Sequence, residues 1–174
     1  MNTLINVKIA GLGGQGVVKA SDILAEAAFR SGLDVKKSEL HGMSQRGGSV
    51  SSDVRFGGTV WSPMIPAGEA DYLLVTDPGQ VDNNLGCLRP GGVLVRPDAV
   101  DEALLPSKKT LNAALLGVLS AYLPMIPEEI WLATLRGSFA ERYFTENTAA
   151  FRAGQAVGRA QQQVETSNAK EGER

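Results

Sequence analysis

The segment Gly11-Leu12-Gly13-Gly14-Gln15-Gly16 lies between an alternating apolar run (Ile5, Val7, Ile9) and an amphipathic run that begins at Val17. A period of two followed by a period of 3.6 predicts strand, tight loop, helix, the opening unit of an α/β fold. In that context GxGxxG lets backbone approach a phosphate held on a helix N-terminus. Glu39 follows Gly16 by twenty-three residues, close to the spacing of a ribose-binding carboxylate. The same glycines also serve tight turns and close strand–helix packing with no ligand. The residues leave both readings open: a nucleotide site on Gly11, Gly13, Gly16 and Glu39, or a structural turn that includes Gly14 and Gln15.

A second glycine segment follows some thirty residues on: His41-Gly42-Met43-Ser44-Gln45-Arg46-Gly47-Gly48. It contains the single histidine of the chain. Polar chemistry on a glycine-permissive backbone suits a contact surface better than a core. Arg46, flanked by Gly47 and Gly48, presents a bidentate donor either to an anion or to a carboxylate on a neighbouring subunit. His41 fits an interface or hydrogen-bonding role better than general-base catalysis. One histidine, one distant cysteine and Ser44 without a GxSxG elbow assemble no triad. The Lys36-Lys37 pair reads as a solvated strand edge.

The remaining pattern predicts a Rossmann-like three-layer α/β fold with a mostly parallel sheet, an inserted β-hairpin and a helical C-terminal third. Strands are expected over 6–12, 34–39, 72–75 and 93–95, with a helix over 17–31 capped by Gly32. Strands 1 and 2 with that helix make one βαβ unit. Val50, Val54 and Phe56 alternate with polar residues, Gly57-Gly58 marks a turn, and Thr59-Val60-Trp61 resumes, which predicts the hairpin at 49–61. Helices are expected over 111–122, from Pro127 onward, and over about 139–163, the last weakened by Gly154 and Gly158. Residues 1–163 form one domain, and 164–174, polar and aperiodic, a disordered tail. Trp61 with Pro63 and Pro66 forms a rigid loop, either core edge or partner contact.

The 174 residues carry a net charge of −2, which argues against nucleic acid as main partner. No apolar stretch approaches a membrane span, and Asn6 and Lys8 interrupt any signal-peptide core, so a cytoplasmic protein is expected. A lone cysteine, Cys87, forms no internal disulfide and no cluster site. The acids fall at no metal-ligand spacing.

Taken together, residues 11–28 (GLGGQGVVKASDILAEAA), 41–55 (HGMSQRGGSVSSDVR), Trp61-Ser62-Pro63, 70–74 (ADYLL) and 111–117 (LNAALLG) give a resemblance over about 6–160. The chain resembles the gamma-type component of 2-oxoacid:ferredoxin oxidoreductases, above all the small beta subunit of the indolepyruvate type. That resemblance implies an accessory subunit of a complex that decarboxylates a 2-oxoacid oxidatively to an acyl-coenzyme A and reduces ferredoxin. Thiamine diphosphate, magnesium and 4Fe–4S clusters would sit on a larger partner subunit, with coenzyme A as co-substrate and no cofactor held by this chain alone. It also implies that the glycine loop holds no dinucleotide. His41, Gln45, Arg46, Gly47 and Gly48 become the expected contact to partner or coenzyme A, and the isolated chain is expected to self-associate as a homodimer. The competing expectation is an NAD(P)-binding Rossmann enzyme or nucleotide-binding module.

Overall fold

The computed structural model describes residues 4–42 and 47–172. Strand β1 (Ile5–Leu12) leads through the glycine loop into helix α1 (Val17–Arg30). Helix α1 buries Val17, Ala20, Ile23, Leu24, Ala27 and Ala28, the stripe that helical spacing demands. It ends at Gly32, whose φ of +82° lets Leu33 N–H return to the Ala28 carbonyl at 3.3 Å. Strands β2 (Asp34–His41), β3 (Ser49–Gly57) and β4 (Ala70–Val75) follow, then the short helix α2 (Val81–Asn84) and strand β5 (Leu88–Val95). Helices α3 (Leu111–Ala121), α4 (Glu128–Ser138) and α5 (Glu141–Gly172) complete the chain.

The five strands lie in the order β2-β3-β1-β4-β5. The sheet is mixed rather than mostly parallel: β4 is parallel to β1 and β5, whereas β3 is antiparallel to both β1 and β2. Strands β1 and β2 run in the same direction but are not neighbours, because β3 lies between them. The hairpin also sits elsewhere than expected. Its arms are β2 and β3, paired from Asp34↔Gly57 to His41↔Val50, so the reversal falls at 42–48 and not at Gly57-Gly58. Residues 59–61 leave the sheet, and the Val60 N–H is taken by the Asp34 carboxylate at 2.8 Å.

One face of the sheet carries Ile5, Val7, Ile9, Val50, Val54, Phe56 and Leu74 and packs on α1 and α3 in the main core. Helices α4 and α5 pack in turn on those helices, giving the third layer. The other face has thin cover. Ala10, Leu73, Val75 and Val81 make a small second core there, and the loop after β3 crosses above Asp53 and Arg55.

Gly154 and Gly158, expected to weaken α5, are what seats it. A Cβ at Gly154 would stand 1.8 Å from the Ala114 carbonyl oxygen and one at Gly158 2.4 Å from that of Val118. The α3 and α5 backbones therefore approach closely. Residues 164–172, expected as a disordered tail, continue α5 as helix. Gln, Glu, Ala and Lys propagate a helix already nucleated by packing, even where no apolar stripe shows.

Candidate functional site

The glycine loop and the second glycine segment meet at the C-terminal end of β1. The Gly13 N–H donates to the Gly48 carbonyl at 2.8 Å, and the Gly42 N–H donates to that of Ser49 at 2.7 Å. His41 ends β2 with 61 % of its side chain exposed, and its Nε2 stands 3.4 Å from Glu39 Oε2. Of the expected contact residues, His41, Gly47 and Gly48 are thus brought beside Gly11, Gly13, Gly14, Gln15 and Gly16. Gln45 and Arg46 lie outside the described residues.

Internal packing explains two of the loop glycines. A Cβ on Gly11 would stand 1.9 Å from Thr76 Oγ1, and one on Gly16 2.1 Å from Asn112 Nδ2. Gly16 also has a φ of +78°, a conformation that side chains resist. Gln15 is the latch of the loop. Its Oε1 accepts from Leu12 N–H at 2.9 Å and from Thr76 Oγ1 at 3.1 Å, while its Nε2 donates to Asp77 Oδ2 at 2.8 Å. Asn112 Nδ2 donates to the Gln15 carbonyl at 2.7 Å. The loop is held from the end of β4 and from the start of α3.

The fastened loop stands as a ridge between two open clefts, each of about 520 Å³. One is lined by Gln15, Asp77, Lys108, Lys109 and Asn112, the other by Gly13, Lys19, Asp22 and His41. Helix α1 starts beneath the ridge with no side-chain cap and no acid in its first turn, so its first N–H groups lack a side-chain acceptor.

Glu39 does not serve the loop. It sits on β2, with β3 between it and β1, and its Oε1 pairs with Lys37 Nζ at 2.7 Å. The Lys37 hydrogen bond is the main cause that holds the Glu39 carboxyl below its ordinary pKa. Lys37 is not a solvated edge residue: its side chain is 17 % exposed and also pairs with Asp22 on α1. Burial opposes its charge, but hydrogen bonds to Asp22 and Glu39 outweigh burial and raise its pKa. Among the described residues no three His, Cys, Asp or Glu side chains converge as a metal site. No helix among them is long and apolar enough to cross a membrane.

Sequence reasoning passed over Gln15 as a latch, Asn112 as its support, and Lys108 and Lys109 as cleft walls. Asn112 lies 97 residues from its partner, so no local pattern reports the contact.

A sheet of this order, a glycine ridge of this construction and a helical outer layer define a family fold. Residues 6–108 match the model of the pyruvate ferredoxin/flavodoxin oxidoreductase family, and the chain belongs to that family. It is 44 % identical over 89 residues to indolepyruvate oxidoreductase subunit IorB of Thermococcus kodakarensis, a match covering 51 % of this chain and 44 % of that relative. The aligned segment therefore spans less than half the length of that relative. It is 30 % identical over 143 residues to the common gamma subunit of the pyruvate/ketoisovalerate oxidoreductases of Thermococcus litoralis, covering 79 % of this chain and 77 % of the relative. Its fold matches the 2-oxoglutarate:ferredoxin oxidoreductase of Magnetococcus marinus, solved with 2-oxoglutarate, coenzyme A and succinyl-CoA bound, at a TM-score of 0.80 and 20 % identity. That match covers 92 % of this chain and 32 % of the Magnetococcus chain.

Proposed function

We propose that this chain is the small, gamma-type subunit of a cytoplasmic 2-oxoacid:ferredoxin oxidoreductase, acting on indolepyruvate or a related 2-oxoacid. The glycine ridge with His41, Gln45, Arg46, Gly47 and Gly48 is its contact to a larger subunit. The observation that carries this reading is the use of the glycines: Gly11 and Gly16 are filled from within by Thr76 and Asn112. With Glu39 removed to the far side of β3, the loop is a stiff protein-contact ridge and not a dinucleotide cradle.

The complex would convert the 2-oxoacid and coenzyme A into acyl-CoA and carbon dioxide, passing the electrons to ferredoxin. Thiamine diphosphate, magnesium and the 4Fe–4S clusters belong to the larger subunit. Such a cluster takes four thiolates, and Cys87 is the one cysteine here. Its thiol pKa is raised by burial, which disfavours the thiolate a cluster would need. What this chain supplies is position: N–H donors at the start of α1, and Lys108 and Lys109 beside the cleft, all suited to a carboxylate or carbonyl of the partner or to a phosphate of coenzyme A.

The test is co-expression with the cognate large subunit, affinity purification through this chain, and a viologen-reduction assay with 2-oxoacid and coenzyme A. A stable complex is expected to turn over while the isolated chain is inactive. Light scattering of the isolated chain should show a homodimer. Turnover without a partner, or micromolar NAD(P) binding lost in Gly13→Val, would overturn the reading.

A further inference from the structure

Trp61 is the most exposed large apolar side chain among the described residues, at 91 %. Met64, three residues on, is half exposed. An exposed indole on a floppy loop would mean little, but this loop is fastened on both sides of the tryptophan. The Val60 N–H donates to Asp34 Oδ2 at 2.8 Å. Arg55 donates to the Ser62 carbonyl at 3.1 Å and to the Met64 carbonyl at 2.7 Å. The Ile65 N–H donates to Asp53 Oδ2 at 3.0 Å, and Asp53 Oδ1 pairs with Lys8 at 2.6 Å while 3 % exposed. Asn6 closes the frame: its Oδ1 accepts from Arg55 Nε at 2.9 Å and its Nδ2 donates to the Glu69 carbonyl at 2.9 Å. A buried carboxylate, a half-buried arginine and two more polar side chains hold a loop whose tip faces water.

We infer that Trp61 is a preformed docking knob that inserts into an apolar pocket of the larger oxidoreductase subunit, as a contact separate from the glycine ridge. This rests on the subunit reading above. A knob already fixed in its bound shape loses little conformational entropy on binding, and tryptophan is enriched at interface hot spots. The strand register places Trp61 at the opposite end of the sheet from the ridge, since Ile5 pairs with Phe56 and Leu12 with Ser49. The nine residues of β3 separate the two contacts by roughly 30 Å. A standard interface of ~800 Å² per partner is about that wide, so one partner can cover both ends.

Symmetry favours that partner over a second copy of this chain. A two-fold dimer needs a self-complementary patch, and Trp61 is a projection. The clefts described for this chain lie at the glycine ridge and between α5 and β5, and Trp61 lines none of them. A knob of one copy in a cleft of another closes a two-fold dimer only where both lie in one patch across the axis, and otherwise leaves the contact open. A buried tryptophan also removes only ~200 Å² from water, too little for an interface of its own. The concave counterpart therefore belongs to a different and larger surface. In the Magnetococcus marinus enzyme the matching fold is 32 % of its chain, with the remainder available to supply such a surface.

The experiment is hydroxyl-radical footprinting read by mass spectrometry, on the full chain alone and in complex with the co-expressed large subunit, together with the affinities of Trp61→Ala and Trp61→Phe. Oxidation of Trp61 is expected to be fast in the isolated chain and at least several-fold slower in the complex. Trp61→Ala should keep the wild-type urea midpoint and bind the large subunit at least ~30-fold more weakly, with Trp61→Phe recovering part of the loss. A complex in which Trp61 oxidises at the free rate and Trp61→Ala binds normally would overturn the docking knob alone and leave the subunit reading intact. Protection of Trp61 that rises with concentration of the isolated chain would assign the surface to a second copy and overturn it too. Failure of the wild-type chain to form any complex would overturn both readings.

Discussion

Gly16→Ala tests whether the glycine loop is shaped by its own protein. Two costs add at this position. The φ of +78° costs a side-chain-bearing residue ~1–2 kcal/mol. The new Cβ would also stand 2.1 Å from Asn112 Nδ2. Asn112 must then swing away and forfeit its 2.7 Å bond to the Gln15 carbonyl, worth ~1 kcal/mol. Less the ~0.4–1 kcal/mol that any Gly→Ala change gains from reduced unfolded-chain entropy, the total is ~1–2.5 kcal/mol, a fall of roughly 2–10 °C in thermal midpoint for a domain of this size. Gly14→Ala is the control. Its φ is +88°, yet nothing lies within 4 Å of the added Cβ. Only the backbone cost applies, with the same unfolded-chain offset as in Gly16→Ala. Urea unfolding of both variants should place Gly16→Ala lower by ~1 kcal/mol, the worth of the forfeited bond. Adding Asn112→Ala to Gly16→Ala should cost less than the two single changes summed, because the clash is gone. Equal losses in Gly14→Ala and Gly16→Ala, or strict additivity with Asn112→Ala, would refute the packing explanation.

Gln15→Leu removes the acceptor used by Leu12 and Thr76 and takes the Gln15 donor from Asp77 Oδ2; a loss of ~1–3 kcal/mol is expected, with faster amide exchange confined to residues 12–16. Asp34 has its carboxyl pKa lowered below 3.8, first by the Val60 N–H, so the anchor is complete above the ordinary carboxylate value and is lost as pH falls through the lowered one. The stability gap between wild type and Asp34→Ala should accordingly be constant from pH 7 to 5 and close toward pH 3; a gap unchanged at pH 3 would contradict it. Arg46→Ala should leave the isolated fold at its wild-type midpoint and weaken assembly or the coenzyme-A-dependent rate by at least ~10-fold. Arg46→Lys should restore only part, because a point charge does not replace a planar bidentate fork, and wild-type behaviour of Arg46→Ala would remove the arginine from the contact.

The local elements were legible because each has a local cause: the apolar stripe of α1, the Gly32 stop, the buried run of β4. The sheet's mixed character was not read, although the chain carries a trace of it. In β1, Asn6 and Lys8 alternate with Ile5, Val7 and Ile9, the signature of a strand with one thinly covered face, whereas β4 runs Leu73-Leu74-Val75 without interruption. The hairpin was misplaced because Gly57-Gly58 is a strong short-range turn signal, while the actual pairing is decided by β1 and β2 flanking all of β3. Gly154 and Gly158 read as helix weaknesses because propensity sees the helix alone and not the α3 backbone against it. The second glycine segment was legible as a contact surface, but its meeting with the first was not, and the Gln15–Asp77 and Asn112–Gln15 contacts span 62 and 97 residues and carry no local trace.

Inserting β3 between β1 and β2 separates this loop from a dinucleotide site. In a parallel βαβ unit the second strand lies beside the first, and its terminal carboxylate faces the ribose of a nucleotide on the glycine turn. Here one additional strand spacing, ~4.8 Å, moves β2 outward. Glu39 is thereby turned to Lys37, which pairs with its carboxylate, and stands beside His41. The same insertion brings Gly48 within hydrogen-bond reach of Gly13, along the flank where an approaching pyrophosphate would need open backbone. Gln15 then fills the space on the other flank and ties it to β4. The GxGxxG spacing survives while its geometric partners do not, so the meaning of the motif is set by the strand order around it.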